Sequence, residues 1–97
     1  MRVIFSAASR RDMLNVLDYI AADNPHRAGS FLTELQQACL SLHDRPLRFP
    51  QLDGFAPHYR RRVHGNYLII YKVADDTVTI MRVVSGWNDI AQLVLGD

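Results

Sequence analysis

Apolar residues fall into two different rhythms along the chain, and the change between them divides it. Between Pro25 and Leu42, Ala28, Phe31, Leu32, Leu35, Ala38, Cys39 and Leu42 recur at spacings of three and four, which predicts an amphipathic helix of about five turns. A shorter helix precedes it. Met13, Leu17, Ile20 and Ala21 share one of its faces, Leu14 widens that stripe, and Ser9 with Asp12 three positions on resembles a capping box. Asn24-Pro25 ends the first helix near Asn24 and starts the second, since proline tolerates the first helical position and asparagine can cap the free amides. With so short a link the two helices form an antiparallel hairpin whose apolar stripes need another layer.

From Tyr59 the period becomes two. Tyr59 to Val63, Tyr67 to Val73 and Thr77 to Ser85 read as antiparallel strands, with turns at His64-Gly65-Asn66 and Ala74-Asp75-Asp76. On the second strand Ile69, Tyr71 and Val73 oppose Leu68, Ile70 and Lys72. On the third, Val78, Ile80, Arg82 and Val84 oppose Thr79, Met81, Val83 and Ser85. Both faces of this sheet carry apolar groups, so a second cover is expected, either the chain's own tail or a partner. Arg2 to Phe5 is a further short strand. Residues 44 to 58, with Pro46, Pro50, Gly54 and Pro57, form a long irregular connection that Phe49, Leu52 and Phe55 pin to the body. Trp87, Ile90 and Leu93 lie near helical spacing in a short tail, helical or docked. The expectation is one α+β domain over residues 1–97.

Composition narrows the class. A chain of 97 residues with 48% hydrophobic positions supports one modest core, burying about 65% of its unfolded surface. It is too apolar for a disordered tail and has no run long enough to cross a bilayer. The first residues do not read as a signal peptide, and the single Cys39 has no partner for an internal disulfide, which together point to the cytoplasm. Cys39 lies within an apolar stripe and reads as a core thiol.

The formal charge of +1 conceals a segregation. Between residues 45 and 72 six cations, Arg45, Arg48, Arg60, Arg61, Arg62 and Lys72, meet only Asp53, whereas residues 73 to 97 set Arg82 against four aspartates. Ten of the eleven cations are arginines, whose planar fork suits carboxylates and phosphates. His26, His43, His58 and His64 are scattered and no paired carboxylate motif accompanies them, so no metal or cofactor is expected.

Several segments together resemble one family. Phe5-Ser6-Ala7-Ala8-Ser9-Arg10-Arg11-Asp12, Leu17-Asp18-Tyr19-Ile20-Ala21, Asn24-Pro25, Ala28 and Phe31 are followed by Tyr67-Leu68-Ile69-Ile70-Tyr71-Lys72-Val73 and Ile80-Met81-Arg82-Val83-Val84-Ser85-Gly86-Trp87-Asn88-Asp89-Ile90. In order and spacing they resemble the ParE branch of the RelE/ParE toxins. That resemblance implies an N-terminal strand and helical hairpin packed on a small, mainly antiparallel sheet of about four strands.

It also implies the toxin of a type II toxin–antitoxin pair, neutralised by a ParD-like antitoxin in a hetero-oligomeric complex and acting on DNA gyrase. The alternatives are a RelE-like ribosome-dependent mRNA endonuclease and a non-toxic module binding nucleic acid or protein. Nuclease chemistry needs a proton acceptor, a proton donor and cations around the phosphorus. Arginines are present, but nothing after Trp87 is Tyr, His, Lys or Arg, Ser85 replaces a His common in the family's closing motif, and Trp87-Asn88 stands where many relatives have Arg. Enzyme activity is therefore the less favoured outcome. Arg60, Arg61, Arg62 and Lys72, with Leu68 and Ile70, are the expected antitoxin contacts; Arg82, Trp87, Asn88, Asp89 and Leu93 are the expected target contacts. The small net charge and the acidic end argue against sequence-specific nucleic-acid binding by the chain alone.

Overall fold

A computed structural model describes residues 1–52, 54 and 58–86 of the chain. Strand β1 (Arg2–Phe5) leads into helix α1 (Ala7–Asp23) and helix α2 (Pro25–Leu40), and two 3-10 turns follow at Ser41–His43 and Pro46–Arg48. Strands β2 (Tyr59–His64), β3 (Tyr67–Ala74) and β4 (Thr77–Val84) complete the described elements. The sheet runs in the order β1-β4-β3-β2. Its first pairing is parallel and the other two are antiparallel, as expected of an α+β domain.

The hairpin of helices turns on one residue. The Asn24 amide donates to the Ile20 carbonyl at 2.8 Å and closes α1, while its side-chain oxygen accepts from the Arg27 amide at 3.1 Å and opens α2. At the other end of α1 the cap is Ser6 rather than Ser9: the Ser6 hydroxyl accepts from the Ser9 amide at 3.0 Å. The spacing of Ser9 and Asp12 misleads because Asp12 has a different task, described below. Leu14 does not join the buried stripe either, being 59% exposed; Met13 is buried as the stripe predicts, and Val16 takes the place expected of Leu14.

On its helix-facing side the sheet presents Ile69, Tyr71, Val78, Ile80 and Val83 to Met13, Val16, Phe31, Leu35, Cys39 and Leu42. Each fully buried Leu or Ile contributes about 1.5–3 kcal/mol to this core. Tyr71 is wholly buried, and its hydroxyl donates to the Pro46 carbonyl, which ties the first part of the connection to the sheet. The other side of the sheet carries a smaller cluster of Leu52, Leu68, Ile70 and Val84. The chain thus supplies part of the expected second cover itself, through Leu52 in the connection. The tail beyond residue 86, and Phe55, lie outside the described residues.

Strict alternation fails on β4. Tyr71 pairs with Ile80 but Ile70 pairs with Arg82, so a bulge intervenes and β4 gains one residue. Val78 and Ile80 remain on the helix side, Val83 joins them there, and Val84 passes to the other cluster. Both hairpin turns are two residues long. Asp75 and Asp76 both take positive φ, 53° and 61°, as a type I′ turn requires, and Gly65 takes φ 59° beside Asn66.

Candidate functional site

Two regions gather the polar side chains whose chemistry the sequence singles out. The first lies where α1 passes the end of β4. Because Ser6 donates its amide to Ile80 and its hydroxyl to the Met81 carbonyl, the first turn of α1 is fastened to β4 just beyond the last residue of β1. One and a half turns later Asp12 faces the same strand. Its Oδ2 accepts from the Val83 amide at 2.9 Å and from Arg82 Nε at 2.8 Å, and its Oδ1 accepts from Arg82 Nη2 at 3.0 Å.

The carboxylate therefore satisfies a strand amide that β1 is too short to reach, and it holds the guanidinium in a two-point grip. Both side chains are mostly withdrawn from water, which makes the pair stiff. An open groove of about 510 Å³ lies over it, lined by Asp12, Asn15, Tyr19, Asn66, Tyr67 and Arg82. Tyr19 is 78% exposed at the groove. Burial, and then the neighbouring Tyr19, push the Tyr67 hydroxyl above the usual phenol range.

The second region surrounds Phe49. Pairing with β3 sets Arg60 opposite Tyr71 and Arg62 opposite Ile69, so both arginines point to the helix side at the edge of the sheet. Arg60 Nη1 donates to the carbonyls of Leu47 and Phe49, at 3.2 and 2.6 Å. Arg62 Nη1 donates to the Ala38 carbonyl at 2.8 Å and the Ser41 hydroxyl at 2.6 Å, closing the C-terminal turn of α2, where a cation is favoured. The guanidinium carbons of Arg48 and Arg62 each stand 4.9 Å from the centre of the Phe49 ring. Burial first, and then the charge of Arg48, hold Arg62 below its ordinary pKa.

The remaining expected contacts fall elsewhere. Arg61 pairs with Ile70 and shares the other face of the sheet with Lys72, so the run of three arginines is split between two faces. Leu68 and Ile70 are 2% and 0% exposed; they belong to the second cluster rather than to an open apolar surface. Trp87, Asn88, Asp89 and Leu93 lie outside the described residues. Among the described residues no group of three His, Cys, Asp or Glu could hold a metal ion, and no helix is long and apolar enough to cross a membrane. His26, His43 and His58 are exposed, and His64 tilts against Phe31 with ring centres 5.5 Å apart. Burial pushes the Cys39 thiol up to about 12, the value of a core residue rather than a nucleophile.

Residues 3–90 match the sequence family described as the ParE toxin of the type II toxin–antitoxin system, parDE. The chain belongs to the ParE toxin family. Solved structures agree with this at the level of fold. A chain of the chromosomal ParDE toxin–antitoxin system from P. aeruginosa has a TM-score of 0.79 at 12% identity, over 90% of this ParE-family chain and 97% of that one. A chain of the RelBE2 toxin–antitoxin complex from Mycobacterium tuberculosis has a TM-score of 0.67 at 25% identity, over 88% and 90%. The RelB–RelE complex from Methanococcus jannaschii provides a third, at 0.53 and 20%, over 84% and 88%. No curated protein matches the chain by sequence.

Within this ParE-family fold, Arg82, an expected target contact, is paired with Asp12, a partner that no local pattern announces because 70 residues separate them. Sequence reasoning also misses Arg48 and Phe49. Their signal is present in Pro46-Leu47-Arg48-Phe49-Pro50, a basic and aromatic segment between prolines, but nothing local says which strand it meets.

Proposed function

We propose that this toxin is neutralised by a ParD-like antitoxin and, when released, inhibits DNA gyrase. The observation that carries the reading is the family match over residues 3–90, joined by the likeness in fold to a chain of a ParDE system. The three structural relatives come from toxin–antitoxin systems, which supports an antitoxin partner here. Arg60, Arg61, Arg62 and Lys72 contribute the cationic part of the antitoxin contact, Arg60 and Arg62 from the helix side of the sheet and Arg61 and Lys72 from the face where Leu68 and Ile70 are buried. Arg82, with Trp87, Asn88, Asp89 and Leu93, makes the contact with the target.

The closing motif, with Ser85 in place of a His and no Tyr, His, Lys or Arg after Trp87, supports inhibition over RNA cleavage. A cleaving enzyme needs a group free to exchange a proton beside its cations. The Asp12 carboxylate is engaged by three donors, and none of the described histidines lines the groove with Arg82. The phenols there include Tyr67, whose proton burial holds more tightly than usual, which leaves the exposed Tyr19 as the remaining proton-exchanging group. The reading is tested by adding the purified chain to a gyrase supercoiling reaction. Loss of supercoiling or accumulation of cleaved DNA at micromolar concentration supports it. Intact supercoiling together with ribosome-dependent mRNA cleavage assigns the chain to the RelE-like activity instead. Growth arrest on expression, reversed by the product of a neighbouring gene, establishes the toxin–antitoxin pair.

A further inference from the structure

The cations around Phe49 have an unusual electrical position. Arg48, Arg60 and Arg62 each use a single nitrogen, Nη1, on oxygens of their own chain: the carbonyls of Asp44, of Leu47 and Phe49, and of Ala38, with the Ser41 hydroxyl. All of those acceptors are neutral. The ion pairs of the described residues join Arg27 to Glu34, Arg45 to Asp44 and Arg82 to Asp12, and none involves these three. Each guanidinium is thus held in place at one corner while its Nε and Nη2 hydrogens are unspent, and three formal charges stand close enough together to act on Tyr71 in common. Beside them two leucines are in water. Leu47, whose carbonyl receives Arg60, is 60% exposed, and Leu40, on the turn of α2 that Arg62 closes, is 50% exposed.

We infer that Arg48, Arg60 and Arg62, flanked by Leu40 and Leu47, form a docking surface for an acidic peptide segment in which carboxylates are interspersed with apolar side chains. The carboxylates take the unspent Nε and Nη2 forks, for which a two-point approach is the favoured geometry. The apolar side chains cover Leu47 and Leu40. Exposed leucines decide against a nucleic-acid backbone, whose phosphates and sugars would leave them in water. The surface differs from the expected antitoxin contact in recruiting Arg48, Phe49 and the two leucines and in leaving out Arg61 and Lys72, which face the other way. It rests on the antitoxin reading only for the identity of the partner, the antitoxin being the protein expected to carry such a segment.

The test uses the whole folded chain and two variants that touch only exposed side chains, Arg48→Glu and Leu47→Ser, with Arg11→Glu on α1 as the charge control. A short fluorescent peptide of Glu and Leu is titrated by anisotropy, beside its Gln and Leu counterpart and a short single-stranded DNA. Thermal melts confirm that each variant is folded. The expected result is binding of the acidic peptide, weakened about tenfold by Arg48→Glu and several-fold by Leu47→Ser, unchanged by Arg11→Glu, and reduced by salt.

Equal binding of the Gln peptide, no effect of Arg48→Glu, or DNA binding that displaces the peptide would overturn it. The same variants are then mixed with the neighbouring gene's product. If that protein reverses toxicity and binds wild type and Arg48→Glu alike, the docking surface is wrong and the antitoxin reading stands. If it neither binds nor protects while the acidic peptide still binds, the surface stands and the antitoxin reading falls.

Discussion

Arg82 and the arginines around Phe49 solve the same problem in opposite ways. Arg82 meets a carboxylate, with two hydrogen bonds and full charge compensation, and the pair is withdrawn from solvent. Among the described residues Arg48, Arg60 and Arg62 meet neutral oxygens, and Arg48 and Arg62 also meet the Phe49 ring, but no carboxylate. The difference teaches where the fold completes its own electrostatics and where it leaves that completion to something else. A compensated cation fixes structure. An uncompensated cluster costs the isolated chain some stability through repulsion and gives it back when an anion arrives.

The contrast can be broken most forcefully at Asp12. Replacing it with Ala strands the Arg82 charge and the Val83 amide together, and equilibrium urea unfolding should record a loss of about 3 kcal/mol. Asp12→Asn keeps an acceptor for Val83 and should lose less. Next in size, Arg62→Gln removes the closure of α2 but also relieves the repulsion with Arg48, so its cost should be smaller, about 1 kcal/mol. A larger loss at Arg62 than at Asp12 would reverse the distinction drawn between the two regions.

Titration supplies a finer probe of the core beneath the arginines. The Cys39 thiol has its value raised in the folded chain to about 12 from an ordinary 9.0, so between those pH values the folded form binds the proton more tightly than the unfolded form does. Its stabilising contribution is complete below the lower value and is lost as pH rises. Stability measured by urea unfolding should therefore fall as pH rises above 9.0, and Cys39→Ala should flatten that fall. The raised Tyr71 and Tyr67 hydroxyls act in the same sense at higher pH and account for the slope that survives. The smallest effect is expected at the Arg27–Glu34 pair, which joins residues seven apart on the exposed face of α2. Glu34→Gln should leave the thermal melting temperature within error of the wild type, because exposed pairs are screened by water and salt.

Much of the fold is legible in the chain because it is written locally. The stripe from Ala28 to Leu42, the double role of Asn24 and the alternation of β3 each depend on residues within a turn or two of one another. What escapes is set by contacts across the sequence. Ser9 and Asp12 have the right spacing for a cap, but Asp12 is claimed by an amide and an arginine on β4. Alternation on β4 holds as far as Ile80 and fails at the bulge, which no local pattern announces.

The arginine run shows the same limit at the candidate site. Period two separates Arg61 from Arg60 and Arg62, yet the partners of the latter lie in the Leu47–Phe49 segment and at the end of α2, 11 to 24 residues away. Leu68 and Ile70 look available to a partner because they share a face with Lys72, but Leu52 reaches over from the connection to the same cluster.

The parallel pairing of β1 with β4 has a consequence for how this protein is made. Strand β1 must wait for β4, since Val3 lies beside Val78 and Ser6 bonds to Met81, 75 positions later. Until then the nascent chain has a helical hairpin with an uncovered apolar stripe and a strand with no neighbour. Long-range closure of this kind is slow relative to helix formation and leaves apolar surface exposed in the interval. A chain released before β4 is translated cannot complete the sheet at all. Folding of this sheet is therefore all-or-none: products that stop before β4 do not reach the folded toxin, and the others reach it only once Thr77–Val84 has been made.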